Sequence, residues 1–359
     1  MVEETKMEKV IPAEKYTELV SITENYLGHT ISKIESLKGD GSDRCIYRIY
    51  GTENLRPSVV GVIHHNIGEN RDFLLLAQKF QEIGLPVPLI FSVNSDENAY
   101  LMQDLGNDTL ADKVKEWNSE NRNDKIIDSY KLVLDRLITM QHELPSVLTR
   151  FFKNRIMDVS VYQADLDYFR RDFVERFDFK SLLNASVIRE LQSILFDHLV
   201  DLDVGYFVYR DFQARNIMWY DDSPWFIDFQ SAFLGPRYYD MASLLYGSKS
   251  GLNEQERELL NKYYFRLLES ASSFSFEDYT GVFFLFVVLR RLRSLGTYGF
   301  LSGEKGKAAF FDSIYPTLEE LVGLFDSQSC LQPYENLFGM IKKVKDIWEQ
   351  QADSFRPGL

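Results

Sequence analysis

The chain has 359 residues, of which 45% are apolar and 14% aromatic, enough for one large or two modest domains with a substantial core. Its 40 Lys and Arg against 54 Asp and Glu leave a net charge of −14, and with no basic excess to displace counterions, nucleic-acid binding is excluded as the main activity. Cys45 and Cys330 stand far apart without Cys or His companions, which argues against structural zinc and a disulfide framework and points to reduced thiols in a cytoplasm.

In chain order, the charged start Met1–Lys9 carries no signal-peptide apolar core. Ile11-Pro12 marks a helix start, with Leu19, Ile22 and Tyr26 at helical spacing. Ile31–Leu37 stays ambiguous, because Ile31, Ile34 and Leu37 do not alternate as strand residues should. The glycine-bearing turn Lys38-Gly-Asp-Gly-Ser-Asp then leads into a clearer strand, Arg44–Tyr50. Such a turn is as readily a plain hairpin as a place where backbone amides approach phosphates. Ser58–His64 reads as a third strand. Glu69–Ile83 has helical periodicity, with Phe73, Leu76, Ala77, Phe80 and Ile83 on one face, and Gly84-Leu-Pro-Val-Pro ends it. Strands near Leu89–Val93 and Ala99–Gln103 complete an antiparallel sheet.

From Thr109 onward the pattern turns helical. Ile127, Tyr130, Leu134, Leu137 and Ile138 make a core-facing stripe, and Asp165–Phe177 places Phe169, Phe173 and Phe177 four apart on one helix face. Val187–Leu202 is another helix. After Asp240 the chain is helical to its end. The longest apolar run, Val282–Leu289, is too short to cross a bilayer and reads as a buried helix. Arg290, Arg291 and Arg293 cannot share one helix face, so at least one braces the core or is solvated, and one is available to an acidic acceptor or a phosphate. Leu337, Ile341, Val344 and Trp348 form the last amphipathic stripe, and no internal repeat is present.

The stretch Tyr206–Tyr246 carries the chemistry. Short apolar runs at Tyr206–Val208, Ile217–Tyr220 and Trp225–Ile227 read as strands, with Asp221, Asp222, Ser223 and Pro224 turning the chain between the last two. Carboxylates follow the first and third runs, Asp211 and Asp228, and Asn216 lies five residues after the first and twelve before the second. Taken singly, each is an ordinary turn or cap residue. Together they suit phosphoryl transfer, which asks for positioning and charge neutralisation. Asp211 would accept the proton of an attacking hydroxyl, while Asp228 and the amide oxygen of Asn216 would hold Mg²⁺.

Tyr-Arg-Asp-Phe-Gln-Ala-Arg-Asn at 209–216 followed by Ile-Asp-Phe-Gln at 227–230 resembles the catalytic loop and metal motif of the aminoglycoside phosphotransferase and choline kinase group. The continuation through Gly235-Pro-Arg-Tyr-Tyr-Asp-Met-Ala is most similar to the branch that phosphorylates the anomeric hydroxyl of cell-wall amino sugars such as N-acetylmuramate and N-acetylglucosamine. The segment from Leu289 to Lys307 resembles that branch again. Two positions depart from the wider pattern: Tyr209 stands where His is usual, and Gln230 where protein kinases have Gly.

This resemblance implies an α+β, bilobal, protein-kinase-like fold. A small antiparallel N-lobe with one main helix, residues 1–103, would precede a larger mostly helical C-lobe, residues 104–359. It implies ATP and Mg²⁺ as cofactors, Asp211 as base, Asn216 and Asp228 as metal ligands, and Asp240 as a brace of the catalytic loop. It makes Ile31–Leu37 a strand, assigns Gly41 and Ser42 to the phosphate side, and makes Met102–Gly106 a hinge where Gln103, Asp104 and Leu105 meet the adenine edge. The third strand, Ser-Val-Val-Gly-Val-Ile-His, lacks the Lys that protein kinases place there. Arg44 or Arg48 of the preceding strand is the expected substitute, with Glu69 as the helix carboxylate; both arginines are equally readable as solvated strand residues. Asp165, Asp167, Tyr168, Gln213, Arg215 and Gln230 are candidate acceptor contacts. The expected activity is phosphorylation of a small hydroxyl compound, an amino sugar first. An aminoglycoside or choline-type kinase and a catalytically inactive nucleotide-binding regulator stay open beside it.

Overall fold

The computed structural model describes residues 13–37, 44–52, 58–269 and 275–356, with side chains from 17 onward. The candidate phosphate-side residues Gly41 and Ser42 lie outside the described residues. By compactness the chain forms two units, Met1–Lys113 with Arg215–Ser231, and Val114–Ala214 with Ala232–Leu359. The hairpin bearing Asn216 and Asp228 thus belongs to the first unit despite its late place in the chain.

The first unit is built on a five-stranded antiparallel sheet of order β1-β2-β3-β5-β4, with strands β1 (Ile31–Leu37), β2 (Cys45–Gly51), β3 (Val59–Ile63), β4 (Ile90–Val93) and β5 (Ala99–Gln103). The ambiguous segment is therefore a strand. Its irregular pattern coincides with a register shift between Ile31 and Lys33, which breaks simple alternation. Successive residues of β2 point to opposite faces. Tyr47 and Ile49 join Val59, Ile63, Ala99, Leu101 and Leu19 of helix α1 (Ala13–Leu27) in one core. Gly61 permits this cover, because a Cβ there would come within 2.8 Å of the Leu19 side chain. Arg44 and Arg48 share the opposite parity. On that face Tyr100 stacks on Phe73 of helix α2 (Ile67–Glu82), with ring centroids 5.4 Å apart. Asn66 caps α2, accepting from the Glu69 N–H.

A second hairpin completes this unit. Strands β7 (Ile217–Tyr220) and β8 (Ser223–Phe226) pair with Ile217 opposite Phe226, and Asp221 and Asp222 turn the chain at φ 52° and 51°. Left-handed backbone at both central positions matches the twist of a two-residue hairpin.

The second unit is mostly helical: most of α3 (Leu110–Ser119), then α4 (Asn123–Val147), α5 (Val159–Phe169), α6 (Ala185–Ser193), α7 (Tyr238–Leu245), α8 (Glu254–Glu269), α9 (Phe276–Gly303), α10 (Ala308–Phe311), α11 (Ile314–Ser327) and α12 (Glu335–Phe355), with a small ladder of β6 (Tyr206–Val208) and β9 (Phe233–Gly235). Helix α9 runs through the core, burying Phe283 to Leu292 without interruption. Its N-terminus carries a capping box between Ser275 and Asp278. The α4 stripe is rotated slightly from the expected one: Ile126, Tyr130, Val133, Leu134 and Leu137 are buried, whereas Ile127 and Ile138 are only partly covered. The Asp165–Phe177 helix also changes character. It is α-helical to Phe169 and then π-helical over Arg170–Glu175, which keeps Phe169 stacked on Phe173 at 5.7 Å. A second π segment, Ile194–Leu199, continues α6 in the same way. No helix among the described residues is long and apolar enough to cross a membrane.

Candidate active site

In the first unit, hairpin register sets Asn216 opposite Ile227, the residue before Asp228. Ile217 pairs with Phe226, so the next positions face each other, and the Ile227 N–H donates to the Asn216 carbonyl at 3.2 Å. Asp228 follows at φ 67°, a left-handed backbone that turns the chain out of the ladder. Phe229 then stacks on Phe73 of α2, with centroids 4.8 Å apart and planes 4° off parallel, and packs on Phe80. This aromatic anchor fixes Asp228 relative to the helix that carries Glu69.

Around Asp228 lies a polar network drawn from three separate segments of the chain. Arg44 donates from Nη1 to Asp228 Oδ1 at 3.3 Å and from Nη2 to Glu69 Oε1. Gln230 donates from Nε2 to Asp228 Oδ1 at 2.8 Å and to Glu69 Oε1 at 3.2 Å. All these contacts engage Oδ1, leaving Asp228 Oδ2 without a hydrogen bond among the described residues. The Asp228 side chain is 43% exposed while that of Arg44 is 7% exposed. One guanidinium against two carboxylates leaves the network net negative. An open carboxylate oxygen in a net negative setting fits a hard divalent cation that takes oxygen ligands.

The two strand arginines do different work. Arg48 forms a bidentate pair with Asp104, Nε to Oδ2 at 2.6 Å and Nη2 to Oδ1 at 2.9 Å, and also donates to the Asn107 side chain and the Gly106 carbonyl. Ser58 and the Gly106 N–H donate to the same carboxylate. Burial alone would raise the Asp104 carboxyl, but these donors outweigh it and hold it below its usual range. The arginine's pKa rises, chiefly through its hydrogen bond to Asp104. Arg48 is thereby engaged in fixing the segment after β5, where Leu105 is buried, while Gln103 at the end of β5 exchanges backbone and side-chain hydrogen bonds with Leu89. The β3 strand is buried at every position, so a lysine there would lose its hydration; the cation stands one strand away, at Arg44.

In the second unit, Asp211 follows β6 and a strained turn. Arg210 sits at φ 76°, and its N–H and that of Tyr209 donate to Asp240 Oδ1 and Oδ2 at 3.0 and 2.6 Å. Tyr209 is fully buried, in contact with Phe212. Burial pushes the Asp240 carboxyl up to about 7, against the two backbone donors, and the charge of Asp211 adds to the rise.

Of the candidate acceptor contacts, Asp165 and Tyr168 of α5 gather around Arg293 of α9. Asp165 Oδ1 lies 3.1 Å from Arg293 Nε, and the guanidinium stands 5.9 Å from the Tyr168 ring centre. Asp167 is apart from this group, exposed and 3.7 Å from Arg170. Arg215 and Gln230 lie in the first unit and Gln213 in the second; the Arg215 Nε is buried without a partner among the described residues. The three arginines of α9 go three ways. Arg290 donates to the Tyr239 hydroxyl, Arg291 to the Tyr246 carbonyl and Thr317 hydroxyl, and Arg293 pairs with Asp165. The Arg293–Asp165 pairing carried no local signal, because 128 residues separate its partners.

Comparison with known proteins places the chain in a family. Residues 63–274 match the model of the phosphotransferase enzyme family. A curated N-acetylmuramate/N-acetylglucosamine kinase of Pseudomonas aeruginosa is 25% identical over 255 residues, 68% of this chain and 70% of that protein. Its counterpart in Pseudomonas putida is 23% identical over 263 residues, 70% of this chain and 73% of its own. Among solved structures, an ADP-bound aminoglycoside phosphotransferase matches 92% of this chain and 99% of its own, with a TM-score of 0.56 at 12% identity. A choline/ethanolamine kinase family protein from Mesorhizobium loti gives the same coverages and identity, with a TM-score of 0.57. At such identities these structures speak for the fold, a protein-kinase-like one with an antiparallel sheet followed by helices.

Proposed function

This chain belongs to the phosphotransferase enzyme family, and on that premise we propose that it is an ATP-dependent kinase that phosphorylates a hydroxyl of an amino sugar. The observation that carries the kinase reading is the convergence of Arg44, Glu69, Gln230 and Asp228, with Asn216 opposite Ile227 in the adjoining hairpin. A strand cation, a helix carboxylate and a metal-motif aspartate are the parts that phosphoryl transfer asks for. Arg44, immediately before β2, takes the cation's role in this reading, and Arg48 is already committed to Asp104.

In this reading Asn216 and Asp228 hold Mg²⁺, which supplies neutralisation of the phosphate charge. Arg44 orients the phosphates, kept in place by Glu69. Asp211 accepts the acceptor's proton; general-base action of this kind is worth roughly 10²–10⁴-fold in rate. Asp240 fixes the Tyr209–Arg210 backbone and with it the position of Asp211. The amino-sugar assignment draws on the curated Pseudomonas relatives and on Asp165. A cationic aminoglycoside or amino alcohol would want an unpaired carboxylate, and Asp165 is paired with Arg293. An inactive regulator is disfavoured by the open Oδ2 of Asp228 and the presence of Arg44 beside it. ADP release measured over a panel of amino sugars, aminoglycosides and amino alcohols tests the assignment. Turnover confined to the amino sugars supports it; turnover confined to either other class, or nucleotide binding with no transfer, contradicts it.

A further inference from the structure

We infer that Arg293 is the specificity determinant that reads a carboxylate on the acceptor, so that it distinguishes acidic from neutral amino sugars. This rests on the amino-sugar reading above and deepens it.

The arginine is preorganised. Helix α9 approaches the α5 end closely because Gly296 and Gly299 lack a Cβ: one on Gly296 would stand 3.1 Å from the Phe169 backbone, and one on Gly299 would stand 2.0 Å from the Asp172 carbonyl oxygen. That approach sets Arg293 against Asp165 and Tyr168. Asp165 takes the Nε side at 3.1 Å, and the two terminal nitrogens have no hydrogen bond among the described residues. Of the three arginines on this part of α9, Arg290 and Arg291 are buried and only Arg293 reaches solvent, its side chain 24% exposed. A guanidinium held along one edge and open along the other offers two parallel N–H donors, the geometry that suits a carboxylate.

The location is within electrostatic range of the proposed base. Burial works against the charge of Arg293, yet the carboxylates of Asp165 and Asp211, with Tyr239 and Tyr168, raise its pKa above the ordinary value. An anionic acceptor brought near Asp211 meets like charge, and Arg293 is the group placed to offset it. A neutral sugar has no such requirement and loses little when the guanidinium is removed.

Steady-state kinetics of wild type, Arg293→Gln and Arg293→Lys with N-acetylmuramate, which bears a carboxylate, and N-acetylglucosamine, which does not, test this. A charged hydrogen-bonding contact predicts that Arg293→Gln raises KM for the acidic sugar by about 10–100-fold, with the neutral sugar's KM and both kcat values nearly unchanged. Equal losses for the two sugars, or none for either, overturn the inference while leaving the amino-sugar reading intact. Wild type that phosphorylates neither sugar overturns both. Should Arg293→Gln melt well below wild type, Arg293→Lys decides, since it keeps the ion pair with Asp165 but loses the planar fork. A selective rise in KM for the acidic sugar supports the inference, and the absence of one rejects it.

Discussion

Arg44 Nη1 lies 3.3 Å from Asp228 Oδ1, joining two residues 184 positions apart in the chain. The contact links the strand that follows the glycine-bearing turn to the aspartate of the metal motif, and the same guanidinium holds Glu69 of α2. Arg44→Gln removes that charge while leaving β2 paired. The expected outcome is a loss of ATP affinity of about 10-fold or more, the scale of a hydrogen bond to a charged group. Calorimetric titration with a non-hydrolysable ATP analogue measures it, and unchanged affinity would contradict the role given to Arg44.

Arg48 should behave differently. Its bidentate pair with Asp104 is buried on both sides, at 9% and 7% side-chain exposure. Removing one partner of such a pair strands the other charge, at about 3–5 kcal/mol. Arg48→Met is therefore expected to lower the denaturation midpoint markedly. Denaturant unfolding of the variant beside Arg44→Gln separates the two roles: a stability loss confined to Arg44→Gln would reverse them.

Burial pushes the Asp240 carboxyl up to about 7, well above the ordinary carboxylate range. A folded-state pKa above the unfolded one gives a contribution fully present below about pH 4 and lost as pH rises through about 7. Asp240→Asn cannot titrate. The difference in melting temperature between wild type and Asp240→Asn should therefore shift steadily against wild type from pH 5 to pH 7 and level off above. A difference that is flat across that range, or moves the other way, is inconsistent with a buried carboxyl of raised pKa.

Gly299 tests the close approach of α9 to the π-helical turn. Its Cβ would fall 2.0 Å from a backbone oxygen, which no side-chain rearrangement relieves. Gly299→Ala should destabilise by about 1–3 kcal/mol through overpacking, whereas Ala at Gly323, also within a helix and with nothing within 4 Å of its Cβ, should be neutral or stabilising. Thermal melts of the two variants give the comparison.

What was legible in the sequence was local. The spacing of Asp211, Asn216 and Asp228, the β7–β8 hairpin between the last two, and the turn at Asp221–Asp222 all depend on neighbours within a few positions. The sheet and the helical remainder followed from periodicity and resemblance, and the structural neighbours bear out that fold class. Long-range pairings were not legible. Nothing in Arg44-Cys-Ile-Tyr-Arg48 shows which arginine turns toward Asp228 and which toward Asp104; that is decided by where β5 and the β7–β8 hairpin pack. The π segment at Arg170–Glu175 was likewise hidden, because one extra residue per turn leaves the aromatic spacing almost unchanged. The phase of α4 differs from that expected for a related reason, since Ile126 and Ile127 are equally apolar and only packing chooses between them.

The most direct test is a paired measurement on Asp211→Asn. Transfer of phosphate from ATP to an N-acetylated amino sugar is followed by phosphorus NMR, and nucleotide binding is titrated in the same preparation. A base at this position predicts a rate lower by roughly 10²–10⁴-fold with nucleotide affinity close to that of wild type. Turnover near the wild-type rate would contradict the account, because no carboxylate at 211 would then be needed to take the acceptor's proton.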